Sequence, residues 1–191
     1  MSDAKNTKII TPVGKLAFNK NLFKPNEKGR YTVAVVFDTD KNTLAALEPL
    51  KALVEDLKKE KWGDKIPSNL YGPMKIEQRE EMLEKYEFMR DKVTLNASNG
   101  FEVPVIDLNE QELFDNDIKA GDEVRLSISG YAYDNNSKGV GFNVNAVQFV
   151  RKGEAFYARQ EAGNMFASAP KIENAETTTK EESGDFNNFG F

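Results

Sequence analysis

Two tyrosines and an arginine share one face of a predicted strand. The segment DEVRLSISGYAYD, residues 122–134, alternates between apolar and polar side chains as a half-buried strand does. Its apolar face consists of Val124, Leu126, Ile128 and Ala132. The opposite face carries Arg125, Tyr131 and Tyr133, and a strand rises about 3.3 Å per residue, which places the two rings about 7 Å apart. Neighbouring rings with a cation nearby can stack successive unpaired nucleic-acid bases, at about 1–3 kcal/mol per base.

Other cations close to predicted strands could contact phosphates. They are Lys15, Arg30, Lys92 and Lys138. Each of them could equally be solvated surface, and the two tyrosines could instead pack beneath a helix or loop with only their hydroxyls exposed. The chain carries a net charge of −5, so a nucleic-acid site on it would be a local patch and not a uniformly basic surface.

The chain ends in EESGDFNNFGF, where phenylalanines follow a run of carboxylates. The acids and apolar anchors of this segment are Glu181, Glu182, Asp185, Phe186, Phe189 and Phe191. This combination is typical of a linear motif that docks into a basic pocket of a partner protein. Its negative charges and planar rings also imitate a nucleic-acid strand, so we expect it to compete for the protein's own binding surface. Residues 163–185 have few apolar side chains and are predicted to be disordered.

Composition excludes several kinds of catalytic site. There is no cysteine and no histidine, which removes disulfides, thiolate or imidazole metal ligands and every triad with a histidine base. The acidic segment EQREEMLEKYE (77–87) could hold Mg²⁺ in a nuclease. Its acids are interleaved with basic residues, however, as on a solvent-exposed helix face. We therefore expect no metal ion, no other cofactor and no enzymatic activity.

Hydropathy favours a cytoplasmic protein without a membrane span. No apolar run approaches the ~20 residues that cross a bilayer, and the N-terminus lacks a signal-peptide core. From residue 171 onward there are five acids and two lysines, a net charge of −3, which leaves −2 for the rest of the chain.

Strand patterns dominate the first 160 residues. Strands are predicted at 9–18, 29–38, 92–98, 122–134 and 140–150. The last of them changes its alternation between Val144 and Val147, which predicts a β-bulge. Helices are predicted at 41–62 and 77–92. Pro49 must either kink the first helix or begin a second one.

This pattern of strands and insertions predicts the fold class. Bent strands with helices between them indicate a mainly β fold with helical insertions, a five-stranded, partly open Greek-key barrel of the OB-fold type. A two-sheet sandwich is the alternative. We expect the domain to span residues 1–160 and an acidic C-terminal tail to span residues 161–191.

Several segments resemble the OB-fold single-stranded-DNA-binding proteins of bacteriophages, the group that includes the T7-type protein. The likeness covers most of residues 8–157 and is looser in the N-terminal third, where it includes TPVGKLAF (11–18). It continues through LNAS (95–98) and VPVIDLN (103–109), and it is strongest over 119–157, with SGYAYDNNSKGVGFNVNAVQFVRKGEAF at its centre.

The resemblance implies a non-enzymatic protein of phage DNA replication, recombination and repair. Such a protein coats single-stranded DNA in the cytoplasm of the infected bacterium, often as a homodimer, and its acidic tail contacts the phage DNA polymerase and helicase. The implied aromatic and basic face is Arg125, Tyr131 and Tyr133, with Lys92 and Lys138 beside it. The alternative function is a β-sandwich interaction or structural module of a virion that does not bind DNA.

Overall fold

The computed structural model describes residues 7–157, which contain strands, two α-helices and one short 3₁₀ helix. The strands are β1 (Lys8–Ile10), β2 (Gly14–Phe18), β3 (Tyr31–Phe37), β4 (Met74–Ile76), β5 (Val93–Asn99), β6 (Val105–Ile106), β7 (Glu123–Asp134) and β8 (Lys138–Arg151). The helices are α1 (Lys41–Trp62), α2 (Glu80–Lys85) and the 3₁₀ helix Glu87–Met89. The predicted domain boundary at residue 160 and the predicted tail lie outside the described residues.

Five of the strands form a ring. The strand order is β7–β2–β3–β5–β8, and β8 pairs again with β7. The ring is only partly closed, because the parallel contact between β5 and β8 is a single residue pair, Ser98 with Asn143. The predicted five-stranded, partly open barrel is therefore confirmed, and the two-sheet sandwich is excluded.

The barrel core lies on the predicted apolar face of β7. Val124, Leu126 and Ile128 are fully buried, and Ala132 packs against the same core while remaining half-buried. Helix α1 adds a stripe of buried residues to this core, namely Leu47, Leu50, Leu53, Val54 and Leu57. The alternation read from the sequence thus gives the correct orientation of β7, which leaves the odd-numbered side chains outside the core.

Helix α1 is continuous through Pro49, so the alternative of a second helix beginning there is wrong. The helix begins at an N-cap, where the Asp40 carboxylate accepts hydrogen bonds from the backbone N–H groups of Asn42 (3.0 Å) and Thr43 (3.1 Å). Pro49 lies on the exposed side and removes one helical hydrogen bond. Burial of the leucine stripe offsets that loss, since tertiary packing supplies most of the stability of a helix.

The second predicted helix, 77–92, is much shorter in the structure. Helix α2 ends at Lys85, and Tyr86 has φ −133°, which is outside the helical region. The Tyr86 ring packs edge-to-face on Phe18 at a centroid distance of 4.9 Å, and Phe88 stacks on Phe156 at 4.2 Å. Contacts between aromatic side chains from distant segments therefore end the helix where local propensity would have continued it.

The acids of this segment form ion pairs with basic side chains. The buried carboxylate of Glu77 accepts hydrogen bonds from Lys75 at 2.7 Å and from Arg79 at 2.8 Å. Glu80 pairs with Arg90 at 2.9 Å. Within residues 7–157 no group of acidic side chains is arranged to hold a metal ion.

The predicted β-bulge in β8 is confirmed. Ser127 pairs with Ala146 and Ile128 pairs with Val144, so Asn145 is the extra residue. The bulge changes which side chains of β8 face inward, which explains the shift in alternation. None of the described helices is long and apolar enough to span a membrane.

Gly130 is the point at which α1 packs on β7. A Cβ added there would lie 2.4 Å from Leu57 Cδ1. Gly130→Ala should therefore lower the free energy of unfolding by about 1–3 kcal/mol through overpacking, measured by urea denaturation. Gly100→Ala is the matched control, because a Cβ at Gly100 meets no atom within 4 Å. Equal stability of the two variants would show that α1 does not sit against this strand.

Candidate nucleic-acid interface

An open groove of about 500 Å³ lies among β3, β5, β7 and β8. We call it the tyrosine groove. Its lining residues are Phe18, Thr32, Val33, Ala34, Gly72, Pro73, Asn96, Ala97, Ser98, Tyr131, Tyr133, Val140, Gly141 and Phe142. Ser98, the β5 residue of the single pair between β5 and β8, is one of these lining residues.

Tyr131 and Tyr133 project into this groove from the same side of β7. Both are half-buried, their ring centroids are 6.0 Å apart, and the ring planes are inclined by 41°. The rings are therefore neither sealed in the core nor stacked on each other. Each ring can offer a face to a separate planar group.

Two glycines of β8 lie directly across the strand from the tyrosines. Tyr131 pairs with Gly141, and Tyr133 pairs with Gly139. A Cβ at Gly141 would lie 2.6 Å from Tyr131 Cζ, and one at Gly139 would lie 2.6 Å from the Tyr133 hydroxyl oxygen. The rings thus lie over the space that side chains on β8 would occupy, so the glycines determine the ring positions.

The sequence contains a signal for these pairs in the spacing of the tyrosines and glycines around the turn. In a hairpin with its turn centred on Asn136, residues 131 and 133 fall opposite residues 141 and 139. Two tyrosines and two glycines at matched spacing around a turn therefore predict that each ring covers a glycine.

Tyr71 is a third tyrosine close to the groove, next to Tyr133, although it does not line the groove. Its side chain is 67% exposed. Its backbone N–H donates to the Lys138 carbonyl at 3.0 Å, and its carbonyl accepts from the Val140 N–H at 2.9 Å, so the loop is fixed to the start of β8. Sequence reasoning missed it, because Tyr71 lies between a helix and a short strand in a segment without periodicity.

The environment of Tyr133 keeps its hydroxyl protonated. Burial raises the pKa of Tyr133 above the usual value for tyrosine, and the neighbouring Tyr131 and Tyr71 raise it further, whereas a hydrogen bond with Ser137 lowers it. At neutral pH the side chain is a neutral phenol. It would therefore place no negative charge next to a phosphate.

Polar side chains from β3 and β5 complete the groove. They are Thr32, Asn96 and Ser98. Arg30 reaches the groove through Ser98, because its Nη2 donates to the Ser98 hydroxyl at 2.8 Å. Within residues 7–157 the Arg30 guanidinium has no carboxylate partner, so it remains available to an anion.

The other predicted cations do not line the tyrosine groove. Lys138 lies near it but pairs with Asp134 at 3.2 Å. Arg125 donates to the Gln148 side chain at 2.7 Å and lines a separate depression together with Ile10 and Ile106.

Lys15 and Lys92 line a third depression beside Phe156. Lys92 is paired there with Asp38. The structure therefore brings Tyr131, Tyr133 and Arg30 together, with Lys138 beside them, and separates the remaining three cations from this group.

No residue that lines the tyrosine groove is charged. Attraction between the groove and a polyanion would then come mainly from ring stacking and hydrogen bonds, together with Arg30, which donates to the lining residue Ser98. This differs from the local patch of cations that the sequence suggested.

Comparison with known proteins identifies related chains. Residues 7–179 match the family model described as "Enterobacter phage Enc34, ssDNA-binding protein". Putative protein p50 of Acyrthosiphon pisum secondary endosymbiont phage 1 is 30% identical over 178 residues, which cover 88% of this chain and 94% of the relative.

Solved structures show the same fold. The single-stranded DNA-binding protein from bacteriophage Enc34 in complex with ssDNA is similar with a TM-score of 0.68 and 17% identity, covering 78% of this chain and 89% of that one. The gp2.5 single-stranded DNA-binding protein of bacteriophage T7 is similar with a TM-score of 0.56 and 13% identity, covering 92% and 99%. The predicted OB fold is thereby confirmed.

Gly139 offers a test of the ring geometry. Gly139→Ala should displace both the Tyr133 ring and the Tyr71 backbone, because the new Cβ would lie 2.6 Å from the Tyr133 hydroxyl oxygen and 2.5 Å from the Tyr71 carbonyl oxygen. Either movement takes neighbours away from the Tyr133 hydroxyl and exposes it to solvent. The raised pKa of Tyr133 should then fall towards its ordinary value, measured by NMR titration of isotope-labelled tyrosine Cζ.

Gly72→Ala is the control for this measurement. It lines the same groove, but a Cβ there would only be in ordinary contact at 3.7 Å. If the pKa of Tyr133 is the same in wild type and in Gly139→Ala, the Tyr133 ring does not lie over Gly139.

Proposed function

Because the chain belongs to the Enc34 phage single-stranded-DNA-binding protein family, a family of non-enzymatic proteins, we propose that it binds single-stranded DNA through the tyrosine groove without sequence preference. The observation that carries this proposal is the pair Tyr131 and Tyr133, whose rings are fixed 6.0 Å apart in an open, uncharged groove. Every base has a π-face, so stacking on tyrosine does not depend on sequence.

The geometry supports a specific division of roles. Successive unpaired bases stack on Tyr131 and Tyr133, and the exposed Tyr71 ring extends this surface at the hairpin end of the groove. Arg30 contacts a phosphate next to Ser98. Paired bases in a duplex are already stacked on each other and cannot reach the rings, which favours single strands over duplex DNA.

The remaining predicted cations would contact phosphates that lie farther from the tyrosines along the DNA strand. Lys138 can turn from Asp134 to a phosphate, since exposed ion pairs of this kind are weak. Arg125, Lys15 and Lys92 lie in other depressions and would be reached only by a longer strand.

Few cations lie at the groove itself, so the dependence of DNA affinity on salt should be weak. A plot of the logarithm of affinity against the logarithm of salt concentration should have a slope of about −1, because each phosphate neutralised on a single strand contributes about −0.7.

Removal of either ring should weaken binding. Tyr131→Ala and Tyr133→Ala should each lower affinity for a dT oligonucleotide by about 5- to 150-fold, the equivalent of roughly 1–3 kcal/mol of stacking. Fluorescence polarisation measures this. Tyr131→Phe should bind normally because it keeps the ring, and Phe101→Ala removes an 82% exposed aromatic that does not line the groove.

Two results would count against this assignment. Unchanged binding by the double alanine variant would show that the bases stack elsewhere. A wild-type protein that binds neither dT, RNA nor duplex oligonucleotides would instead support the alternative of a virion module.

The biological setting follows from the same proposal. We place the protein in phage DNA replication, recombination and repair, acting in the cytoplasm of the infected bacterium, with residues 1–160 as the DNA-binding domain. The tail, residues 161–191, would contact the phage DNA polymerase and helicase through its acids and terminal phenylalanines. The sequence resemblance also supports a homodimer.

The tail should compete with DNA. Deletion of residues 180–191 should tighten binding to a dT oligonucleotide, because a competing run of carboxylates and rings is removed, and should abolish association with the phage DNA polymerase. Fluorescence polarisation and a pull-down measure the two effects. An unchanged affinity would limit the tail to recruiting partners, and polymerase association that persists without the tail would exclude that role.

A further inference from the structure

The ring planes of Tyr131 and Tyr133 do not match the geometry of stacked bases. Bases that stack on each other are parallel, whereas these two ring planes are inclined by 41° and their centroids are 6.0 Å apart. A base that stacks on a ring lies parallel to that ring. Two bases stacked on the two tyrosines are therefore inclined to each other by the same angle, and they cannot stack on each other.

The two rings cannot clamp a stacked pair of bases between them either. A clamp around two bases would separate the rings by three stacking intervals of about 3.4 Å, or about 10 Å in all. The observed separation is 6.0 Å, and the rings project from alternate positions of β7, so they lie side by side. Each ring therefore accepts a base of its own.

Strand β8 covers the same side of both rings. Gly141 lies opposite Tyr131 and Gly139 lies opposite Tyr133, and a Cβ on either glycine would lie 2.6 Å from the tyrosine. The open side of each ring then points away from β8 and into the groove. A hydrogen bond between Tyr133 and Ser137 also holds one of the two rings. A bound strand therefore has to adapt to rings that are already in position.

This arrangement interrupts two stacking steps of a bound strand. A base inside a single strand has two faces, and each face can stack on a neighbouring base. Because both rings are open on the same side, a strand that runs across them offers the same face of two successive bases. One stacking step is lost between these two bases and one is lost beside them. Each tyrosine therefore accounts for one interrupted step.

The cost of an interrupted step depends on the base. Purines stack on each other more strongly than pyrimidines do, because their two fused rings overlap over a larger area. A tyrosine covers the area of one six-membered ring, so it replaces only part of the contact that an adenine gives up. A thymine gives up little and still gains the tyrosine. Preferences of single-strand binders for pyrimidine runs arise from such differences in stacking strength.

We propose that the inclined pair Tyr131 and Tyr133 favours unstacked, pyrimidine-rich single strands, so that thymine runs bind more tightly than adenine runs. The pair does not recognise the edge of any base. It responds to how strongly the bases of the free strand stack on each other. This inference rests on the proposed binding of single-stranded DNA in the tyrosine groove, and it specifies the class of strand that the groove prefers.

The test is the ratio of the affinities for dT and dA oligonucleotides of equal length, measured by fluorescence polarisation on the full-length chain. Wild type should bind dT about tenfold more tightly than dA, because each of two interrupted steps costs about threefold, the factor for the weaker stacking steps of DNA. Tyr131→Ala and Tyr133→Ala should each reduce the ratio to about threefold, since one interrupted step remains. General damage to the fold would weaken both affinities and leave their ratio unchanged.

Two controls keep both rings in place. Tyr131→Phe retains the ring, and Phe101→Ala removes an exposed aromatic that does not line the groove, so both variants should keep the wild-type ratio. Circular dichroism of the dA oligonucleotide gives an independent measurement, because its signal depends on adenine stacking. Saturation with wild type should lower this signal, and saturation with Tyr131→Ala should lower it by less.

The outcomes separate this proposal from the one on which it rests. If wild type binds dT and dA equally, the rings do not favour unstacked strands, although the groove can still be the DNA site. If a preference for dT is the same in wild type and in both alanine variants, it arises elsewhere and the role of the ring pair is wrong. If the double alanine variant binds dT as tightly as wild type, or if wild type binds no dT, the proposed function itself is contradicted.

Discussion

The antiparallel pairing of β7 with β8 is the constraint on which the rest of the structure depends. The two strands form a hairpin from Glu123 to Arg151, closing the barrel and fixing which residue of one strand faces which of the other. The register brings Gly139 and Gly141 beneath the two tyrosines. A shift by one residue would turn every side chain of a strand to the other face, removing both the core and the aromatic surface.

The uncharged lining of the tyrosine groove bears on how an acidic protein would bind a polyanion. Proteins that rely on phosphate contacts need many unpaired lysines and arginines, and their affinity falls steeply with salt. Here most of the candidate cations are paired or directed elsewhere, and the groove is lined by rings, hydroxyls and an amide. Stacking depends little on net charge, so a negative chain can still hold bases.

The sequence by itself determined the elements that depend on local pattern. Alternation fixed the inward face of β7, and the phase change between Val144 and Val147 located the bulge, because burial of side chains at regular spacing dominates both choices. The leucine stripe predicted α1, but the sequence left the effect of Pro49 open. The pattern of strands and helical insertions predicted the fold class, and the resemblance to phage DNA-binding proteins implied the same fold.

Tertiary structure alone decided which residues meet. Helix α2 ends early because Tyr86 leaves it to pack on Phe18, a partner from β2. Tyr71 joins the site because its loop pairs with β8, and Arg125 is separated from Tyr131 although both lie on one face of β7, because the strand carries them to different depressions of a curved barrel. Spacing along the chain indicates the face on which a side chain lies, but contacts between distant segments decide what surrounds it.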